Sequence, residues 1–126
     1  MGRQFVSVAA AVFVAFYAAP NAHADGGWIA VANSPNHESK DWGYGPDQAT
    51  AESNALALCA QMERASDCRV LASSTDCIGT AWDAALPINQ LHAGSGGGPE
   101  IVKNAAMALA GPYANDPEVR CTWWSH

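Results

Sequence analysis

Basic residues are scarce in this chain. Six Lys and Arg stand against twelve Asp and Glu, a formal charge of −6 at pH 7. The acids are scattered and form no run. That balance disfavours nucleic acid and anionic membrane surfaces as partners, because both are held by basic patches. Catalytic and metal signatures are also missing: there is no Cys-x-x-Cys pair, no His-Glu-x-x-His and no Gly-x-Ser-x-Gly. Beyond the N-terminal region no apolar run approaches the roughly 20 residues that a membrane-crossing helix needs.

What is present begins with an export signal. Met1-Gly2-Arg3-Gln4 carries one positive charge, and Phe5 to Ala19 is uncharged and apolar. That run is about 15 residues, too short to span a bilayer. Pro20-Asn21-Ala22-His23-Ala24-Asp25 follows, with the small-x-small pattern of a cleavage site at Ala22 and Ala24. Residues 1–24 are therefore read as a cleaved signal peptide and 25–126 as one exported domain without stable membrane insertion. Cys59, Cys68, Cys77 and Cys121 all lie in the exported part. An even count in a short exported chain implies disulfides rather than a metal site.

Periodicity then divides the chain. Gly27 to Ala32 is a short apolar strand ending at Asn33-Ser34-Pro35-Asn36. Lys40 to Gly45 is a second strand with Trp42 and Tyr44 on one face. Asp47 is a good N-cap for a helix from Gln48 to Met62, with Ala51, Ala55, Leu58, Met62 and Cys59 on its inner stripe. Its alanines suggest close packing on a sheet. Cys68 to Ser73 and Cys77 to Trp82 read as antiparallel neighbours. Asp83 to Gly98 reads as irregular, anchored by Leu86, Ile88 and Leu91, with Gly94-Ser95-Gly96-Gly97-Gly98 as a flexible loop. A second helix runs from Pro99 or Glu100 to Ala110, with Ile101, Val102, Ala105, Ala108 and Leu109 apolar, and Gly111-Pro112 stops it. Val119 to Trp124 is the last strand.

The pieces repeat. Gly43-Tyr44-Gly45-Pro46-Asp47 matches Gly96-Gly97-Gly98-Pro99-Glu100, Ala55-Leu56-Ala57 matches Ala108-Leu109-Ala110, and Cys68 matches Cys121. The expected fold is α+β: an antiparallel sheet system packed with two helices, in two degenerate strand-strand-helix-strand halves forming a two-layer domain of pseudo-twofold symmetry.

The series Trp-Ile-Ala-Val, Trp-Gly-Tyr-Gly, Ala-Leu-Ala-Leu-Cys, Asp-Cys-Arg-Val and Asp-Cys-Ile-Gly resembles the secreted bacterial family called domain of unknown function 4189, common in mycobacteria. An alanine-rich leader ending Ala-His-Ala before Asp suits that origin. The resemblance spans Asp25 to Trp124 and implies an exported, disulfide-bonded α+β domain, with no enzymatic activity to carry over. Two features depart from the family pattern: Pro112 stands where members often carry a cysteine, and the Asp83–Leu91 stretch is an unusual insertion.

Four cysteines allow three connectivities, and sequence alone does not choose among them. The repeat favours Cys59–Cys68, pinning helix to strand, with Cys77–Cys121 tying the last strand to the middle of the chain. On the loop-entropy model the local bridge contributes ~3 kcal/mol and the long one ~4 kcal/mol. A Cys59–Cys77 linkage is the outcome that refutes this pairing.

Candidate chemistry is sparse. His37, Glu38 and Asp41 share a polar loop that reads as a solvated turn. His92 and His126 read as surface groups, and Ser73 and Ser74 as ordinary strand-end serines. The glycine loop around Ser95 lacks the Lys and Ser/Thr of a phosphate loop, and Glu100 would repel phosphate. No cofactor or metal is expected. Five tryptophans are many for this length, and burial in the core accounts for most of them. Trp123 and Trp124 are adjacent, so on a strand they face opposite sides and one is left exposed. Trp42, Tyr44, Trp123 and Trp124 are the candidate contact surface. The expectation is a non-catalytic extracellular or envelope-associated domain that binds another protein, including a host protein. The rivals are an envelope hydrolase built from His37, Asp41, Asp76 and His92, and a purely structural envelope component.

Overall fold

The computed structural model describes residues 27–85 and 88–124. Residues 1–24, read above as a signal peptide, the expected cleavage site, Leu86, Pro87 and His126 lie outside the described residues. The strands are β1 (Trp28–Asn33), β2 (Asp41–Gly45), β3 (Arg69–Ser74), β4 (Cys77–Asp83), β5 (Gln90–Gly96) and β6 (Ala114–Cys121). The helices are α1 (Gln48–Glu63) and α2 (Pro99–Ala110), with short 3₁₀ turns at Pro35–His37 and Gly111–Tyr113.

The strand-strand-helix-strand unit occurs twice, and each copy builds its own antiparallel sheet, in the orders β2-β1-β3 and β5-β4-β6, so β3 and β4, expected as antiparallel neighbours, belong to different sheets because each pairs within its own half. The expected two-layer domain is instead layered helix, sheet, sheet, helix. Ala30 and Ala32 of β1 face Ala51, Ala55 and Cys59 of α1. Ile29 and Val31, one residue out of phase, meet Ile78, Ala93, Leu71 and Trp42 between the sheets. On the far side Ala81 packs on Ala106 and Ala110, and Cys77 on Val102. Both faces of each central strand are thus covered, so consecutive residues of β1 and β4 are buried and no alternation is seen.

Close helix–sheet approach sets the inner stripes. A Cβ on Gly43 would lie 2.3 Å from the Ala55 nitrogen, and one on Gly79 would lie 2.3 Å from the Val102 carbonyl oxygen. At that spacing only small side chains fit beneath α1. Its buried residues are Ala51, Ala55 and Cys59, whereas Leu58 and Met62, expected on the inner stripe, point outward at 38% and 67% exposure. Likewise α2 buries Val102, Ala106 and Ala110 and exposes Ile101 and Leu109.

Two expectations about the second half change. Gly94, Ser95 and Gly96 are not a flexible loop but the end of β5, paired with β4. A Cβ on Gly94 would stand 2.8 Å from that of Ala105, so its glycine admits the helix rather than loosening the chain. The last strand ends at Cys121, and Trp123 and Trp124 follow it in a turn. The repeat also has a different alignment. Gly43 is opposite Ala30, and Gly94 is opposite Gly79. Asp47 and Gly98 are the two helix N-caps. Gly43–Asp47 therefore corresponds to Gly94–Gly98, and Cys68, which precedes β3, has no counterpart in Cys121, which ends β6. In both halves the third strand carries a bulge at the same place, opposite Val31/Ala32 and Thr80/Trp82.

The disulfides are Cys59–Cys68 and Cys77–Cys121, the favoured pairing. The first ties the end of α1 to the approach of β3, and the second joins directly opposed residues of β4 and β6.

Candidate functional site

The two sheets are joined along the β2 and β6 edges by a polar network. The Lys40 ammonium pairs with Glu118 Oε1 at 2.6 Å and donates to Thr80 Oγ1 at 3.4 Å. Arg120 Nε donates to Glu118 Oε2 at 3.0 Å, and its Nη1 donates to the Tyr44 hydroxyl at 3.2 Å. The guanidinium lies 4.9 Å from the centre of the Trp42 ring. Burial pushes the Glu118 carboxyl up, but the hydrogen bond and charge of Lys40, and then of Arg120, outweigh it and hold the group below its ordinary value. For Arg120 burial opposes the charge, and hydrogen bonds to Tyr44 and Glu118 more than offset it. This network explains two of the candidate contact residues: Trp42 is buried beneath Arg120 and Tyr44 is half-buried against it, so both serve the contact between sheets.

The other two stand apart from them. Trp123 and Trp124 are 45% and 38% exposed, with ring centres 5.9 Å apart in an edge-to-face pair. The Trp123 indole N–H donates to Asp76 Oδ1 at 2.8 Å, which fixes the ring at the surface. A Cβ on Gly97 would lie 3.7 Å from Asp76 Oδ2, and one on Gly98 would lie 3.9 Å from Ile101 Cδ1. The indole pair and the exposed Ile101, at the start of α2, therefore belong to one end of the second sheet.

The acids and histidines offered as a hydrolase set do not gather. Asp76 belongs to the Trp123 corner. His92 is opposite Ala81 on the side of β5 that faces α2. Asp41 faces α1, where burial first, and then the charge of Glu63, push its carboxyl up against an opposing Ser39 hydrogen bond. Its Oδ2 is a buried atom without a hydrogen-bond partner. His37 sits on a different cluster. Ser34 Oγ donates to Asp67 Oδ1, and His37 Nδ1 lies 2.8 Å from Ser34 Oγ. Asn36 N–H reaches Asp67 Oδ2 at 3.2 Å. The residue types are those of a serine triad, but the order is wrong: the hydroxyl, not the imidazole, stands in the middle, and its proton is given to the carboxylate. Ser34 is also fully buried. The cluster clasps the Pro35–His37 turn to the segment before Cys68. Among the described residues no group of three or more His, Cys, Asp or Glu side chains is placed to hold a metal ion.

A cavity of about 420 Å³ opens at the other end of β4, lined by Glu38, Trp82, Asn89, Asn115 and Asp116. Trp82 is opposite Asn115 in the β4–β6 ladder. Glu38 reaches across from the first half, where its Oε2 accepts the Asn89 N–H at 3.1 Å. Glu38 and Asp116 both adopt left-handed backbone, with φ of 49° and 53°. Of this set only Glu38 drew notice from sequence. The others come from three separate segments, and no local spacing joins them.

The model of the family described as Domain of unknown function (DUF4189) matches residues 28–123, from the first residue of β1 to the exposed indole pair. The chain belongs to this family. No curated protein and no solved structure matches it. The family match covers both halves, both disulfides and the inter-sheet network, so the double strand-strand-helix-strand unit is the family's domain in this chain. No helix among the described residues is long and apolar enough to cross a membrane.

Proposed function

We propose that this domain works outside the cytosol as a non-catalytic binding module, exported through its leader and recognising another protein through the Trp123–Trp124 corner. The observation that carries this reading is the indole pair itself. Large aromatic side chains held at a surface are the residue types that dominate protein–protein recognition. Here both rings are exposed, and one is fixed by Asp76. The two disulfides suit an oxidising compartment. The mycobacterial envelope or a host surface is the setting that the alanine-rich leader suggests.

The test is capture from culture filtrate and host lysate with the oxidised mature protein, repeated with a Trp123→Ala/Trp124→Ala variant. The reading expects a specific protein to be retained by the parent and lost by the variant, at an unchanged unfolding midpoint. Equal retention by both, or a variant that merely unfolds, contradicts it.

A further inference from the structure

We infer that the cavity at the Trp82 end of β4 is a binding site for a guanidinium group, as carried by arginine. Among the described residues its lining is one tryptophan, two carboxylate residues and two asparagines, with no Lys, Arg or His. One oxygen of Glu38 is engaged with the Asn89 N–H. The Glu38 and Asp116 carboxylates bring acceptors only, and each Asn amide brings one acceptor beside its donor, so acceptor atoms outnumber donor atoms in the lining residues. A guanidinium is the complementary group: five N–H donors in a plane, a positive charge, and a face that stacks on an aromatic ring. Anions would meet two carboxylates, and an apolar ligand would strip water from them without replacing its hydrogen bonds.

The molecule already holds one guanidinium in the same way. Arg120 lies over the Trp42 ring and bonds to Glu118. The cavity repeats that set, an indole with carboxylates, in the open. The neighbouring cations of the inter-sheet network are already engaged with Glu118. The chain's formal charge of −6 adds a favourable field. A volume of about 420 Å³ accommodates an arginine side chain and falls within the range of small-ligand sites. The inference is independent of the Trp123–Trp124 corner, which lies beyond the Cys77 end of the same strand, so either can fail alone.

The experiment is a ¹⁵N–¹H NMR titration of the oxidised mature protein at low salt. The probes are N-acetyl-arginine amide, N-acetyl-lysine amide, methyl glucoside and an end-capped Ala-Arg-Ala peptide. Saturable shifts are expected at the Trp82 indole and at the Asn89 and Asn115 amides with the arginine amide, with a dissociation constant on the order of millimolar. The lysine amide should bind more weakly and methyl glucoside not at all. Asp116→Asn and Glu38→Gln should each weaken arginine amide binding, by roughly fivefold. Asn tolerates the left-handed backbone of Asp116, so that variant keeps its fold. Raising NaCl should weaken binding to the unaltered protein, which tests the claim without any variant. A peptide that binds more tightly than the amide identifies a protein chain as the source of the arginine, and equal affinities identify a free guanidinium compound. Absence of saturable shifts at Trp82, equal binding of methyl glucoside, or affinity indifferent to both charge variants and salt would overturn the assignment.

Discussion

The two halves share a skeleton but differ in how it is fastened. In both, the first strand is central, the third is bulged at the same place, and a glycine on the second strand lets the helix approach its sheet. In the first half the disulfide ties helix to strand, and the helix opens on Asp47, whose Oδ1 accepts the Thr50 N–H. In the second half the disulfide ties strand to strand, and the helix opens on Gly98 without a side-chain cap. Asp41, buried against α1, has His92 as its counterpart facing α2. The difference separates what the fold requires from what it tolerates. Small residues at the helix–sheet contact are required in both copies, whereas bridges and caps are individual. Both the exposed indole pair and most of the cavity lining belong to the second half.

The largest expected effect tests the shared requirement. Gly43→Val drives a side chain into the α1 backbone at Ala55, and its counterpart Gly94→Val drives one into Ala105 of α2, so each should cost on the order of 5 kcal/mol, comparable with the stability of a small domain. Denaturant unfolding with disulfides intact would check this. A half that tolerates its valine would break the equivalence. The bridges come next. Replacing Cys77 and Cys121 by alanine should cost ~4 kcal/mol and replacing Cys59 and Cys68 ~3 kcal/mol, because the first closes the longer loop. A reversed order would show that the helix tie carries more than chain entropy.

A smaller effect separates Asp41 from His92. Burial raises the folded-state pKa of Asp41, so its contribution to stability is fully present below the unfolded value and is lost as pH rises through the folded one. Asp41→Asn should therefore raise the melting temperature at neutral pH, with the difference shrinking on acidification through the raised value towards the ordinary 3.8. The smallest effect concerns the caps. Gly98 has an extended backbone with φ of −166°, so Gly98→Asp should supply the second helix with the cap the first already has and add roughly a few tenths of a kcal/mol.

Much of this architecture was legible in the sequence. Apolar runs bounded by turn residues mark β1, β3 and β4. Asp47 and Gly111-Pro112 mark helix ends, and the alternation of Trp42 and Tyr44 places both on one face, as found. The layering was not legible. An alanine-rich helix has little contrast between its faces, so the large residues Leu58, Met62, Ile101 and Leu109 drew the stripe to the wrong side. β5 was hidden for a related reason. Gly94-Ser95-Gly96 has the composition of a loop, and only the helix lying against it explains the missing side chains. The burial of Trp42 depends on Arg120, far away in the chain, and the cavity depends on Glu38 meeting Asn89 across the two halves. Contacts of that kind follow from tertiary pairing and leave no local pattern.

The most direct test of the two-half account is peptide mapping of the unreduced protein. Trypsin sites at Arg64, Arg69, Lys103 and Arg120 place each cysteine on its own peptide. The account predicts two linked pairs, the Cys59 peptide with that of Cys68 and the Cys77 peptide with that of Cys121, each bridge confined to one half. A Cys59–Cys77 or Cys68–Cys121 linkage, crossing from one half to the other, would contradict it.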